Sequence, residues 1–306
     1  MGLKNVGLKG KKGIVFTILT LVILSVFLLS YGIYSVAQSG KSVNKRIGSM
    51  NDFVFSTEKD LQRQIYISGF RIILLMEKQI IDSGEGIHDF NSSVNESFFS
   101  GTLYGQPQSL MEQAKFSDIL NDINDRAGKM NLEVVLAPKR FYFSQDNPWN
   151  VKVNLETDVL IRDKGNLAFW NKTETISSYI SIENFEDPLY VIYLHRPNNI
   201  TKSTYQPFNG NIMNLSLHAQ NSYYIESPNM GPSFLDRLEG KISANVNGIE
   251  SIVNTQIPSD VPVRTDKSCV DYIYFSSNSN TGTPVSGMPG WFKLDDAHLS
   301  IYNVTR

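Results

Sequence analysis

Apolar residues along this chain fall into three successive patterns: an unbroken block, a helical stripe and then alternation. The block is Ile14 to Tyr34, 21 residues without a charge. At about 1.5 Å of rise per residue it predicts one helix long enough to cross the roughly 30 Å hydrocarbon layer of a bilayer. A helix apolar on every face must be surrounded by apolar material, and a globular core rarely needs that length. Next comes the stripe. Val43, Ile47, Met50, Val54, Leu61, Ile65, Ile72, Met76 and Ile80 are separated by threes, fours and sevens, which puts them on one side of a helix continuing to about Asp82. The whole rod is expected to be on the order of 100 Å long, with residues 14–36 in the membrane and 37–83 as a stalk. Residues 70–81, FRIILLMEKQII, are apolar on more than one face, so a head domain should cover that end. Gly48 and Gly69 each disfavour helix by about 1 kcal/mol relative to alanine and mark places where the rod could bend.

A polar linker punctuated by glycine is expected from Gly84 through Gln108, followed by a second amphipathic helix in LMEQAKFSDILNDINDRAGKM, so that 84–130 form linker and helix. From Leu132 the period becomes two. WNVKVNLETDVLIRD places Val151, Val153, Leu155, Val159 and Ile161 on one face, as a half-buried antiparallel strand requires. LEVVL, RFYF, TETISSYISIE and LYVIYL read as further strands, separated by turns at Gln145-Asp-Asn-Pro, Lys164-Gly-Asn and Asp187-Pro188. The last third offers a short helix in PSFLDRLEG, with Pro232 in its first turn and Gly240 closing it, and strands in VDYIYF and HLSIY. The expected fold class is α+β: a long N-terminal transmembrane and stalk helix, then a mainly antiparallel, β-rich extracytoplasmic head over 131–306.

Composition narrows the setting. Charged residues are 19% of the 306 residues, below the roughly 25% of ordinary soluble domains. Asn, Ser, Thr and Tyr must therefore supply the polar surface, which suits an extracytoplasmic face. A net charge of -2 leaves no overall basic field for a nucleic-acid partner. Cys269 is the sole cysteine, so no intrachain disulfide can form, and its apolar neighbourhood predicts a buried structural thiol.

Lys4, Lys9, Lys11 and Lys12 precede the apolar block, while Lys41, Lys45 and Arg46 follow it. A short lysine-dense tail is harder to translocate than the long C-terminal part, so the N terminus is expected to be cytoplasmic and the bulk outside. Three fates of the N terminus stay open. Ser35-Val36-Ala37 before Gln38 offers a secretory cleavage site, although that signal class uses an apolar region of only about 7 to 15 residues. Lys11-Lys12-Gly13 running directly into Ile14 resembles the class III signal of type IV pilin-like proteins, over about the first 35 residues. That resemblance implies cleavage between Gly13 and Ile14 by a dedicated membrane peptidase, and pilin-like subunits as partners. Many major bacterial pilins carry Glu at the fifth mature position, where this chain has Ile18, so the resemblance points to a minor or pilin-like component. An uncleaved anchor is the third fate. The segments YISGFRIILLME, WNKTETISSYISIENFEDPLY and SFLDRLEGKISANVNGIESIV also resemble uncharacterised archaeal surface proteins with a pilin-like N terminus and a β-rich head, which implies a topology but no activity.

Catalytic patterns fail on inspection. Gly40-Lys41-Ser42 lacks the upstream glycine that a phosphate-cradling loop needs, and Ser42-Val43-Asn44-Lys45 would sit on an exposed rod without a pocket. Neither G-x-S-x-G nor H-E-x-x-H occurs. His88, His195, His218 and His298 are scattered singly, and Asp122-Ile-Asn124-Asp125 lacks the glycine and closing glutamate of a calcium loop. Asp295-Asp296 and the group Glu183, Glu186, Asp187 could furnish two carboxylates for a glycosidase, but a turn and surface charge explain them more simply. No cofactor is expected. Six sequons begin at Asn91, Asn95, Asn171, Asn199, Asn214 and Asn303, all after the apolar block. Trp149, Trp170 and Trp291 could belong to a sugar-binding surface, with core packing the stronger expectation for at least two of them. The sequence thus reads as a membrane-anchored surface protein, with an anchored adhesion or ligand-binding module as the alternative.

Overall fold

The computed structural model describes residues 9–204, 210–278 and 281–306, with the backbone alone at 9–12 and 39. One helix, α1, runs from Lys9 to Ser83, about 110 Å at 1.5 Å per residue. It continues through both Gly48 and Gly69. From Met50 onward its stripe does what the spacing predicts, with Met50, Val54, Leu61, Ile65, Ile72, Met76 and Ile80 all buried, whereas Val43 is half-buried and Ile47 is 36% exposed because the head does not yet cover them. Cover begins well before residue 70, because Arg46 already reaches the head with a two-nitrogen contact to Asp163. Most of the expected stalk is therefore the central core helix of the head.

Behind α1 come α2 (Phe90–Ser100), the short hairpin β1 (Thr102–Leu103) and β2 (Gln106–Pro107), and α3 (Phe116–Lys129). The expected polar linker thus contains a helix. Phe90, Val94 and Phe98, four residues apart, give α2 a buried side that its serines and asparagines obscure. Strands β3 (Leu132–Asn147), β4 (Asn150–Asp163) and β5 (Phe169–Ser181) form an antiparallel sheet in the order β3-β4-β5. LEVVL and RFYF are one strand with a register shift between Pro138 and Arg140, at a sheet edge where proline is tolerated. Val151, Val153, Leu155, Val159 and Ile161 are buried as the alternation requires.

Gly69 explains how α1 lies so close to this sheet. A Cβ there would stand 2.5 Å from Val153 Cγ2 and 3.0 Å from Ile180 Cδ1. This glycine serves close helix-to-sheet packing, not a bend.

Three expected strands are helices. LYVIYL forms α4 (Pro188–Leu194), VDYIYF forms α7 (Asp271–Phe275) and HLSIY belongs to α8 (Asp296–Ile301). Each carries an acid at its start. Asp187 caps α4, with its side chain accepting from Leu189 N and Pro188 in the first turn. Asp295 caps α8 by accepting from His298 N. Between them lie α5 (Ile212–Asn221), β6 (Tyr224–Glu226), α6 (Phe234–Leu238) and β7 (Ile249–Ser251), and the small hairpin β8 (Thr283–Pro284) and β9 (Lys293–Leu294) completes the set. In α6, Ser233 and Asp236 form a capping box, so Pro232 precedes the cap instead of occupying the first turn. The C-terminal third has its own apolar cluster, including Leu215, Ile252, Val270, Phe292, Leu294 and Cys269. Cys269 is buried, and burial pushes its thiol up to about 11.

Candidate functional site: an uncovered rod, a buried charge seam and a terminal cleft

The first feature is the N-terminal half of α1. From Ile14 to Val36 every large apolar side chain is exposed, from 49% at Ile23 to 74% at Val36. These are values for a helix shielded only by its own neighbours. The span has a mean hydropathy of 2.6 over its most apolar window, and the head buries none of that window. Three of its hydroxyls bond back to the helix: Thr17 donates to Gly13 O, Thr20 to Phe16 O and Ser25 to Val22 O, so these donors would not be stranded in hydrocarbon. Ile14 is 62% exposed and nothing lies within 4 Å of where a Cβ on Gly13 would be. Lys9, Lys11 and Lys12 lie in the first turns of the helix backbone, and their side chains, like Lys4 and the rest of the leader through residue 8, are outside the described residues.

The second feature is a seam of buried charge between the two apolar clusters. Arg237 on α6 is fully buried and pairs with Asp187 and Asp271 through Nη1, while Nη2 donates to Ile249 O. Tyr224 donates to Asp187, and Ser251 donates to Asp271 through both its N–H and its hydroxyl. Burial alone would lower the Arg237 pKa, but the two carboxylates outweigh it and raise it. Two acids share this one cation. Burial accordingly holds Asp271 up at about 6 against the effect of Arg237.

The seam continues at His298. Its Nδ1 lies 2.8 Å from Asp295 Oδ2 and its Nε2 3.2 Å from Glu250 Oε2. Burial would lower the imidazole pKa, yet the bonds to Asp295 and Glu250 prevail and raise it to about 9. Burial likewise opposes ionisation of Asp295, but the contact with His298 brings its carboxyl to about 2. Tyr302 and Ser227 donate to Glu250. Of the sequence candidates, Asp187 and Asp295 are thus committed to holding the fold. Asp296 is exposed and paired with Arg306, and Glu183 is exposed.

The third feature is a cleft of about 460 Å³ at the far end of α1, lined by Ile81, Asp82, Glu186, Val191, His195 and Arg196 among others. One turn earlier on α1 sits Glu77, 8% exposed, with one carboxyl oxygen lacking a partner. Burial, with the nearby charge of Glu186, pushes its pKa up to about 8. Arg196 is tied to the carbonyls of Asn254 and Ile257. The free polarity of the cleft is therefore mainly that of Asp82, Glu186 and His195.

Glu77 and His298 both tie stability to pH. Each has a folded-state pKa above its ordinary value, about 8 against 4.5 and about 9 against 6.5. Each contribution is complete below the ordinary pKa and lost as pH rises through the folded one. Buried His218, its pKa lowered to about 4, opposes the Glu77 contribution up to about pH 6.5, so the melting temperature should fall chiefly between about pH 6.5 and pH 9. Glu77→Gln should flatten the lower part of that fall and raise Tm near pH 8 by on the order of several degrees, leaving the His298 part in place. Thermal melts of both proteins at successive pH values check this, and parallel curves would contradict it.

The remaining candidates are dispersed. Asn91, Asn171, Asn199 and Asn303 are exposed, and Asn95 and Asn214 are half-buried. His88 is exposed, and His218 is buried with burial lowering its pKa to about 4. Trp149 is buried and donates to Glu226, Trp291 packs on the C-terminal cluster, and Trp170 is 38% exposed. Among the described residues no group of three or more His, Cys, Asp or Glu side chains is placed to hold a metal ion. No known family model, curated protein or solved structure matches the chain. Its own geometry carries the functional reading.

Proposed function

We propose that this protein is a membrane-anchored surface protein whose apolar rod sits in the bilayer, with the N terminus cytoplasmic and the head outside, and which joins a pilus-like assembly as a minor component through the same helix. The observation that carries the reading is the rod itself: seventeen large apolar side chains from Ile14 to Val36 are exposed. Moving them from water into hydrocarbon is worth roughly 25 kcal/mol at about 1.5 kcal/mol each. Lipid and sister rods are the two environments that supply such cover for a helix apolar all round. Lysines before Gly13 support the orientation, as do six sequon asparagines, none buried, on the head. The run Lys11-Lys12-Gly13 directly before the apolar block at Ile14 is the sequence feature that favours the pilin-like route.

The N-terminal residue of the protein recovered from membranes tests both parts. Ile14 is expected for pilin-like processing. Met1 or Gly2 would retain the anchor and remove the pilin-like route, and Gln38 or a freely dissolved full-length product would overturn the anchor as well.

A further inference from the structure

The underside of the head, around the β4–β5 turn, has the chemistry of a bilayer interface. Moving along β4 from Val153, which packs at Gly69, to Asp163, which pairs with Arg46, retraces α1 towards the rod. The turn that follows, residues 164–168, therefore projects beyond the Arg46 contact on the rod side. It is a built feature. Asp163 N donates to Ala168 O, Asn166 N to Asp163 O, Leu167 N to the Asp163 carboxylate, and Lys164 N to Asn131 O. Arg46 fixes the same carboxylate to α1 and also holds Met130 O at the end of α3.

This hydrogen-bonded turn exposes oily residues where a soluble turn would be polar: Leu167 is 50%, Phe169 72% and Trp170 38% exposed. Exposed lysines accompany them: Lys164 on the turn and Lys129 at the end of α3, with Lys41 and Lys45 exposed on other faces of α1 between the rod and Arg46. Aromatic and aliphatic side chains beside lysine are the composition that partitions into the headgroup layer.

The distances agree. Val36 to Arg46 is ten residues, about 15 Å of helix. The turn descends about 5 Å below Arg46, and its side chains reach about 5 Å further, leaving about 5 Å to the hydrocarbon edge. The interfacial layer of one leaflet is about 5–7 Å thick, and an ordinary tilt of about 20° closes a few ångströms more. We propose that the Lys164–Trp170 turn and its flanking lysines dock on an anionic phospholipid surface, giving the head a second membrane contact besides the rod. This rests on the anchor reading above.

A spin label tests it on the full chain with Cys269→Ser, reconstituted in nanodiscs of phosphatidylcholine and phosphatidylglycerol. Labels are placed by Leu167→Cys, by Ile23→Cys within the rod, and by Val246→Cys, 63% exposed on a loop whose Asn247 bonds Gln145 near the opposite end of the sheet. At Leu167, collision with a water-soluble nickel complex should be about threefold lower than at Val246, and collision with oxygen higher, as for a residue at headgroup depth. Equal nickel accessibility at Leu167 and Val246, with Ile23 still shielded, would overturn the docking and leave the anchor standing. A water-exposed label at Ile23 would sink both.

Discussion

Val22→Lys together with Val26→Lys should release the full-length protein from membranes without softening its head. Fifteen Leu, Ile, Val and Phe side chains lie between Ile14 and Val36; at about -0.3 to -0.6 kcal/mol each on an insertion scale they favour the bilayer by roughly 6 kcal/mol. Two central lysines cost about 2.5–3.5 kcal/mol apiece and erase that margin. Both valines are exposed, and cover by the head begins only at Arg46 and Met50. The melting temperature of the head should therefore stay within about a degree of the parent, as for other exposed positions. Alkaline extraction of membranes checks the release and thermal melts check the head. Retention of the double variant in the pellet would contradict the first expectation, and a cooperative loss of stability the second.

Arg237→Met should be among the most destabilising single changes in the head. It fills similar space but leaves Asp187 and Asp271, both fully buried, without their cation. Breaking one side of a buried pair costs about 3–5 kcal/mol, which in a head of this size lowers Tm by roughly 10 °C. Adding Asp187→Asn and Asp271→Asn to the same variant should recover part of the loss, because the uncompensated charges are then gone. Urea denaturation of the single and triple variants measures the difference. A cost below about 1 kcal/mol for the single variant would mean that the seam is more solvated than its burial indicates.

How well each element could be read from sequence depended on how local its cause is. The α1 stripe and the alternation in β4 are periodicities dozens of atoms long, and both describe the buried faces. The short helices α4, α7 and α8 are different. LYVIYL and DYIYF are made of aromatic and β-branched residues that favour strands, and burial against two clusters overrides that preference. Their capping signals were nevertheless present, in Asp187-Pro188 and in Asp295 three residues before His298. The seam had no such signal. Asp187, Arg237, Glu250, Asp271 and His298 come from five elements spread over more than a hundred residues, and only the tertiary fold reveals that they meet. For the same reason the acid pairs read as surface charge divide into Asp187 and Asp295, which are structural, and Glu183 and Asp296, which are exposed.

Because α1 is both the exposed apolar rod and the middle of the head's core, no swivel separates the two. A sideways force applied at the distal tip, beside Ser83, acts on a lever about 55 Å long measured from Arg46. The protein would respond by leaning as one piece, so a mechanical load at that tip becomes torque on whatever packs around the base of the rod.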